Sequence, residues 1–244
     1  MFSIIIPIKN QFEIVKKCLH SVYKYYKDQD VIIVDDGSNE EKLLMYLQDL
    51  KKITNWLFYR NETSQGHTKA CELGIASSAN ENMFLLNSDT IVTPNSLHIL
   101  SKVLDENKDI AVVGPTTSSA SGPQMIPQLY SKRFTLTIEE IERLALEFEK
   151  DKTIQNIDLV NGFCFGIKKS VFNSVGKFDE RLTAYGNEKE LLVRIRKANF
   201  RTVWVKGAYV HHFGKMSYSH ENLNIGQCQK DADNYIFKKY GRLI

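Results

Sequence analysis

Several things are missing from this sequence, and each absence closes off a class of protein. None of its 244 residues belongs to an apolar run of the roughly 18 to 20 residues that a membrane-crossing helix needs. Met1–Pro7 has no basic residue ahead of its apolar stretch; Lys9 follows it, so the segment reads as a first buried strand and not as a signal peptide. The four cysteines (Cys18, Cys71, Cys164, Cys228) are widely separated and form no C-x-x-C pair. They read as reduced thiols packed as small hydrophobes, which argues against a disulfide framework or a zinc site and for a cytoplasmic location. Lys and Arg form no dense block beside interleaved aromatics, and a net charge of +3 is too small to imply nucleic acid. That charge is compatible with an anionic ligand and with peripheral contact to an anionic membrane surface. There is no internal repeat, no low-complexity segment and no G-x-G-x-x-G after the first strand.

What is present is ordinary for a soluble domain: 43% apolar and 25% charged residues, in a chain long enough to bury one large core. In the first half, short apolar runs alternate with amphipathic stretches. Ser3–Pro7, Val31–Asp35, Trp56–Tyr59, Met83–Leu86 and Ala111–Val113 read as strands. Phe12, Val15, Leu19 and Val22 recur at helical spacing, as do Leu43, Leu44 and Leu47. This alternation predicts an α/β fold, a mostly parallel sheet with helices on both faces and ligands at the strands' carboxyl ends. From Thr116 to Phe134 the texture turns to Ser, Thr, Gly, Pro and Gln and reads as a long loop, followed by a helix carrying Ile138, Ile141, Ala145 and Phe148 on one face. The second half adds strands at Leu159–Ile167, Thr202–Val205 and Ala208–His212, and helices near Glu188–Ala198 and Asp231–Tyr240. One domain spans the chain, with its second half completing the pocket that the first half opens.

Four clusters carry chemistry. Val34-Asp35-Asp36-Gly37-Ser38 ends the second strand; a carboxylate there can accept a base imide N–H, and Gly37 lets backbone come close. The same five residues fit a strand-ending turn, since Ser38 and Asn39 are good helix caps. Leu85–Thr90 closes another strand with Asn87, Ser88 and Asp89, and an ionised Asp89 suits Mg²⁺ or Mn²⁺. Asn and Asp are also common turn formers. Tyr185–Leu191 turns into a helix whose first residues include Glu188, a candidate general base or else a solvated first-turn acid. In Val210–Gly214, His211 and His212 point to opposite faces of a strand, so one of them can complete a metal site.

Taken in order, these segments resemble family 2 glycosyltransferases, inverting enzymes of the GT-A fold. Ser3–Asn10 resembles the family's first strand and nucleotide-contacting turn, which implies roles for Pro7, Lys9 and Asn10. Val34–Ser38 resembles V-D-D-G-S, making Asp36 the implied uracil-contacting carboxylate. Arg60-Asn61-Glu62, then Gly66-His67 and Lys69-Ala70, resemble the third strand and a helix near the diphosphate. Leu86–Thr90 resembles D-x-D with Asn87 in place of the first acid, so Asp89 is the implied metal carboxylate. Val160-Asn161-Gly162-Phe163 resembles the sugar-pocket segment and Gly176–Glu180 the G-x-F-D-E that follows. Gly186–Leu191 resembles E-D-x-D-L with Asn187 and Glu188 at the first two acids, so Glu188 inherits the base position. His211-His212-Phe213-Gly214 resembles the late metal-binding histidine segment; counting back from Ser217 favours His212, with His211 the alternative.

The resemblance, which covers about Ser3 to Ser217, implies an inverting transfer from a UDP- or dTDP-sugar, with Mn²⁺ or Mg²⁺, to a hydroxyl of a carbohydrate or lipid-linked acceptor. The expected layout is a nucleotide-binding half over 1–115, a sugar and acceptor half over 116–217 and a helical tail over 218–244. Bacterial surface-polysaccharide or glycoconjugate assembly at the inner face of the membrane is the implied setting. The rival classes are a nucleotidyltransferase, which would favour a glycine- and Lys/Arg-rich loop where Ile8–Glu13 has only Lys9, and a non-catalytic sugar-nucleotide-binding module.

Overall fold

Ile4, Ile6 and Ile8 point one way along the first strand and Ile5 the other, and every one of them is buried. A strand covered on both faces is what a parallel sheet between two helical layers demands. A computed structural model of the protein describes residues 1–182, 185–214 and 225–241. Its first half runs β1 (Ser3–Ile8), α1 (Phe12–Tyr26), β2 (Asp30–Asp35), α2 (Glu41–Ile53), β3 (Leu57–Arg60), α3 (His67–Ser77), β4 (Asn82–Leu86), β5 (Thr90–Val92), α4 (Ser96–Glu106) and β6 (Ile110–Thr116). The second half runs α5 (Pro127–Tyr130), α6 (Ile138–Phe148), β7 (Ile154–Asn156), β8 (Cys164–Lys168), α7 (Lys169–Val175), α8 (Asn187–Lys197), β9 (Arg201–His212) and α9 (Ile225–Tyr240).

The strands form one sheet in the order β3-β2-β1-β4-β8-β6-β9-β5, with β7 added alongside β9. Pairing is parallel from β3 through β4 and again between β6 and β9. β8 enters antiparallel between β4 and β6, and so stitches the two halves of the chain into a single sheet. One apolar layer packs α1, α2 and α4 on the face that holds Ile4, Ile6 and Ile33. The other packs α3, α7 and α8 on the face that holds Ile5, Ile32 and Phe165. All four cysteines are free, and three of them are buried in these layers. Burial pushes the Cys18 thiol up to about 12, as suits a packed and unreactive group.

The structure revises three expectations. The strand expected over Leu159–Ile167 forms only from Cys164, because the Asn161 amide is turned toward residues 121–124, donating to Ser121 O (2.8 Å) and Gln124 Oε1 (2.9 Å). The two strands expected at Thr202–Val205 and Ala208–His212 are one continuous β9; at its middle, a Cβ on Gly207 would come within 2.4 Å of Asp151 O. The long loop after Thr116 carries the short α5. By contrast α6 begins as its sequence suggests, with a reciprocal Thr137–Glu140 capping box. Ser217 and the link from Gly214 to α9 lie outside the described residues.

Candidate functional site

At the carboxyl ends of β1 and β2 the chain is held by its own polar groups. Asn10, in a left-handed conformation (φ 55°), donates its N–H to Ser38 Oγ (2.8 Å), and its Oδ1 accepts from Asn39 N (2.9 Å). Asp35 accepts from Ser38 N (2.9 Å) and pairs with Arg60. Asp36 accepts four hydrogen bonds: Asn61 Nδ2 and Gln65 N to Oδ1 at 2.7 Å each, and Ser64 Oγ (2.7 Å) and Gly66 N (2.9 Å) to Oδ2. Burial pushes this carboxyl up, but those four donors outweigh it and hold the group below the usual carboxylate range. A carboxylate offers about four lone-pair positions, and here all are filled from within. The imide contact expected of Asp36 therefore requires one of these bonds to be released. Gly37 (φ 73°) is needed at this point, since a Cβ would fall 2.8 Å from Ser64 N.

The second group forms where β5 lies antiparallel to β9, in the register Thr90 opposite His212. Asp89, just before β5, is buried, and its Oδ1 lies 3.2 Å from His212 Nε2. The His212 ring stacks on Phe163 at 4.9 Å and donates from Nδ1 to Ser119 O (2.5 Å). That bond places the Nδ1 proton and aims Nε2, which has no hydrogen-bond partner among the described residues, at the Asp89 carboxylate. A buried oxygen and an imidazole nitrogen converging in this way fit a divalent cation. No cluster of three His, Cys, Asp or Glu suited to a metal occurs among the described residues. Further ligands would come from a bound phosphate or water, as is usual for Mg²⁺.

His211 is not brought to this place. It is fully buried on the other face of β9, donating from Nε2 to Arg133 O (2.8 Å), with Nδ1 3.1 Å from the Tyr209 hydroxyl. Burial pushes its imidazole down to about 4 and keeps it neutral. Of the two histidines, His212 is the one that faces Asp89.

The third group opens α8. Gly186 (φ 88°) turns the chain into the helix, and Glu188 lines a cavity of about 480 Å³ together with His67, Asn87, Asn161, Gly162 and His212. A Cβ on Gly162 would sit 2.2 Å from Glu188 Oε1, so the bare glycine is what makes room for the carboxylate. Lys189 lines the cavity as well, whereas Asn187 and Glu190 turn away. Asn187 is buried and donates to Thr68 Oγ1 (2.6 Å), while Glu190 is fully buried and ion-paired with Arg194 (2.7 Å). Pro7, Lys9, Asn10, Asp36, Gly66 and Lys69 lie at the strand ends and the start of α3, outside this cavity's lining, and Ser88 is buried beside Asp89. A slightly larger cavity of about 540 Å³ lies between α1 and α6 over Ile91, Ile141 and Phe213. None of Asn87, Asn161, Glu188 and His212, the residues singled out from the sequence, is among its lining.

Residues 3–176 match the model of the family described as glycosyl transferase family 2. The chain belongs to that family. An uncharacterized glycosyltransferase of Haemophilus influenzae is 23% identical over all of this chain and 78% of its own length. The matches to three other curated relatives span 25%, 16% and 38% of those relatives' own lengths. Among solved structures, GalNAc-T7 with UDP, GalNAc and Mn²⁺ superposes with a TM-score of 0.74 at 17% identity, over 98% of this chain and 47% of that one. S. aureus TarS 1-349 with UDP-GlcNAc gives 0.67 at 16% identity, over 98% and 66%. The fold of the family member described here is GT-A.

Sequence reasoning quoted His67 and Tyr185 within motif segments without giving them a role, and it singled out neither Gln229 nor Asp233 on α9; all four line the cavity. His67 stands one residue after Gly66 and was within reach of the motif; the α9 residues carried no signal, because only packing brings that helix here.

Proposed function

We propose that the protein is an inverting glycosyltransferase that moves a sugar from a UDP- or dTDP-linked donor to an acceptor hydroxyl, with Glu188 as general base. The observation that carries this reading is that Glu188 and His212, the latter paired with Asp89, line one cavity. The acceptor hydroxyl gives its proton to Glu188 as its oxygen attacks the anomeric carbon from the face opposite the diphosphate. The bond to the diphosphate oxygen breaks in the same displacement, and the carbon inverts. Asp89 and His212 would hold Mn²⁺ or Mg²⁺, which when bound neutralises charge on the leaving diphosphate. Support for the donor class comes from the UDP and UDP-GlcNAc of the structural neighbours, and for the metal from the Mn²⁺ of one of them.

The strand ends over 1–115 serve the nucleotide and residues 116–217 the sugar and acceptor. No helix among the described residues is long and apolar enough to cross a membrane. A cytoplasmic setting at the inner membrane face, in surface-polysaccharide or glycoconjugate assembly, completes the reading; its support is the free cysteines and the family resemblance. The test is incubation with a panel of UDP- and dTDP-sugars and Mn²⁺, following nucleotide release in wild type and Glu188→Gln. Release from one donor that the variant abolishes supports the proposal. Nucleotide binding without any release overturns it in favour of a binding module.

A further inference from the structure

Helix α9 lies beyond the family match, which ends at residue 176. It is fixed against α8 by a cluster of polar bonds that centre on two carboxylates, Glu190 and Asp179. Glu190, fully buried, accepts from Lys239 Nζ (2.7 Å) and from the Tyr240 hydroxyl as well as from Arg194. Lys239 also reaches Asp179 (2.9 Å), and Tyr235 donates its hydroxyl to the same carboxylate (2.6 Å). Arg181 is the largest influence holding Asp179 well below the usual carboxylate range, with Tyr235 and Lys239 adding to it. Ala232 and Ile236 fill an apolar seam with Leu182 and Val193. At Gly186 the approach is so close that a Cβ would meet the Ala232 Cβ at 2.6 Å. A buried carboxylate stripped of two of three donors would be costly, so α9 is locked to the helix that carries Glu188.

The face of α9 turned to the cavity is polar. Gln229 and Asp233 line it, with Asp233 paired to Lys189 at 2.9 Å, and Ala232 between them is the one small apolar contribution. An amide, a carboxylate and an ammonium side by side offer both donors and acceptors, the set that reads several hydroxyls on one ring. We infer that α9 is the acceptor-side wall of the cavity, where Gln229 and the Lys189–Asp233 pair select a saccharide acceptor beside Glu188. The inference rests on the function proposed above. The Glu190–Lys239–Asp179 network keeps the wall in position.

Binding measurements test this without relying on turnover. Saturation-transfer NMR with UDP and Mg²⁺ present would survey methyl glycosides of common hexoses against octanol as an apolar comparison. Wild type is expected to bind at least one glycoside in preference to octanol. Gln229→Ala and Asp233→Asn are expected to weaken that glycoside by roughly tenfold or more, with UDP affinity by calorimetry within about twofold. Lys239→Met is expected to weaken it as well by releasing the wall; Gln229→Ala, an exposed position, keeps the test independent of any loss of folding in that variant. Absence of glycoside binding by wild type, indifference to both wall substitutions, or a parallel loss of UDP affinity would each overturn the inference. Failure of nucleotide release in the donor panel would instead count against the proposed function.

Discussion

At the carboxyl ends of β1 and β2 both acids are tied into protein, Asp35 by Arg60 and Asp36 by four donors from residues 61–66. At the start of α8 the pattern splits within a single turn: Glu190 is fully buried in an ion network while Glu188 faces the cavity. The first region spends its charge on loop geometry. The second separates a structural acid from one that a substrate can reach. A motif acid is therefore to be judged by how many of its lone pairs the fold has already filled.

The sharpest way to break this comparison is to neutralise the two α8 acids separately. Glu188→Gln should lower kcat by roughly 10² to 10⁴ with UDP affinity and melting temperature preserved. Glu190→Gln should do the reverse, reducing stability by about 3 to 5 kcal/mol in chemical denaturation, since it strips a buried pair of its charge. A Glu188→Gln enzyme that transfers sugar at the wild-type rate would move the base elsewhere.

Asp36 comes next. Asp36→Ala should lower unfolding free energy by about 1.5 to 3 kcal/mol, the scale of hydrogen bonds to a charged acceptor. Because folding lowers this carboxyl's pKa, its contribution is fully present above the ordinary value of 3.8 and fades as pH falls below it. Asp36→Asn should accordingly lose less stability than wild type on acidification below about pH 4. Weakened UDP binding by calorimetry with unchanged stability would instead make Asp36 the contact to the base.

The histidines sharpen the same contrast at a smaller scale. His212→Ala should weaken metal-dependent UDP binding by at least roughly tenfold, whereas His211→Ala should leave it intact and lower the melting temperature. The reverse ranking would show that β9 presents its other face. Smallest of all, Gly162→Ala should lower kcat by about tenfold through displacement of the Glu188 carboxylate, with little change in UDP affinity.

Much of the fold was legible because two physical signals coincide. β1, β2 and β4 are buried on both faces and flanked by amphipathic helices, so short apolar runs and helical spacing pointed to the same layers. Legibility failed where the deciding contact is distant in sequence. Asp36 is filled by residues 25 to 30 positions later, which V-D-D-G-S does not reveal. The period of a strand put His211 and His212 on opposite faces, but only the pairing of β9 with β5 decides which of them meets Asp89. The three-residue β5 was itself too short to stand out beside the Asn87–Asp89 turn. The pairing of Glu190 with Arg194 follows an i, i+4 spacing visible in the sequence, while the partners from α9 follow no such local pattern.

β9 has one more consequence. Its amino-terminal part is held between β6 and β7, and its last three residues pair with β5, so His212 ends a strand anchored at both ends. The imidazole is further restrained by the Ser119 carbonyl and the Phe163 ring. Its conformational freedom is surrendered once, during folding, and not at every encounter with a ligand. A ligand entering the cavity beside His212 finds that imidazole already aimed, and whatever ordering accompanies binding is left to the less constrained parts of the chain.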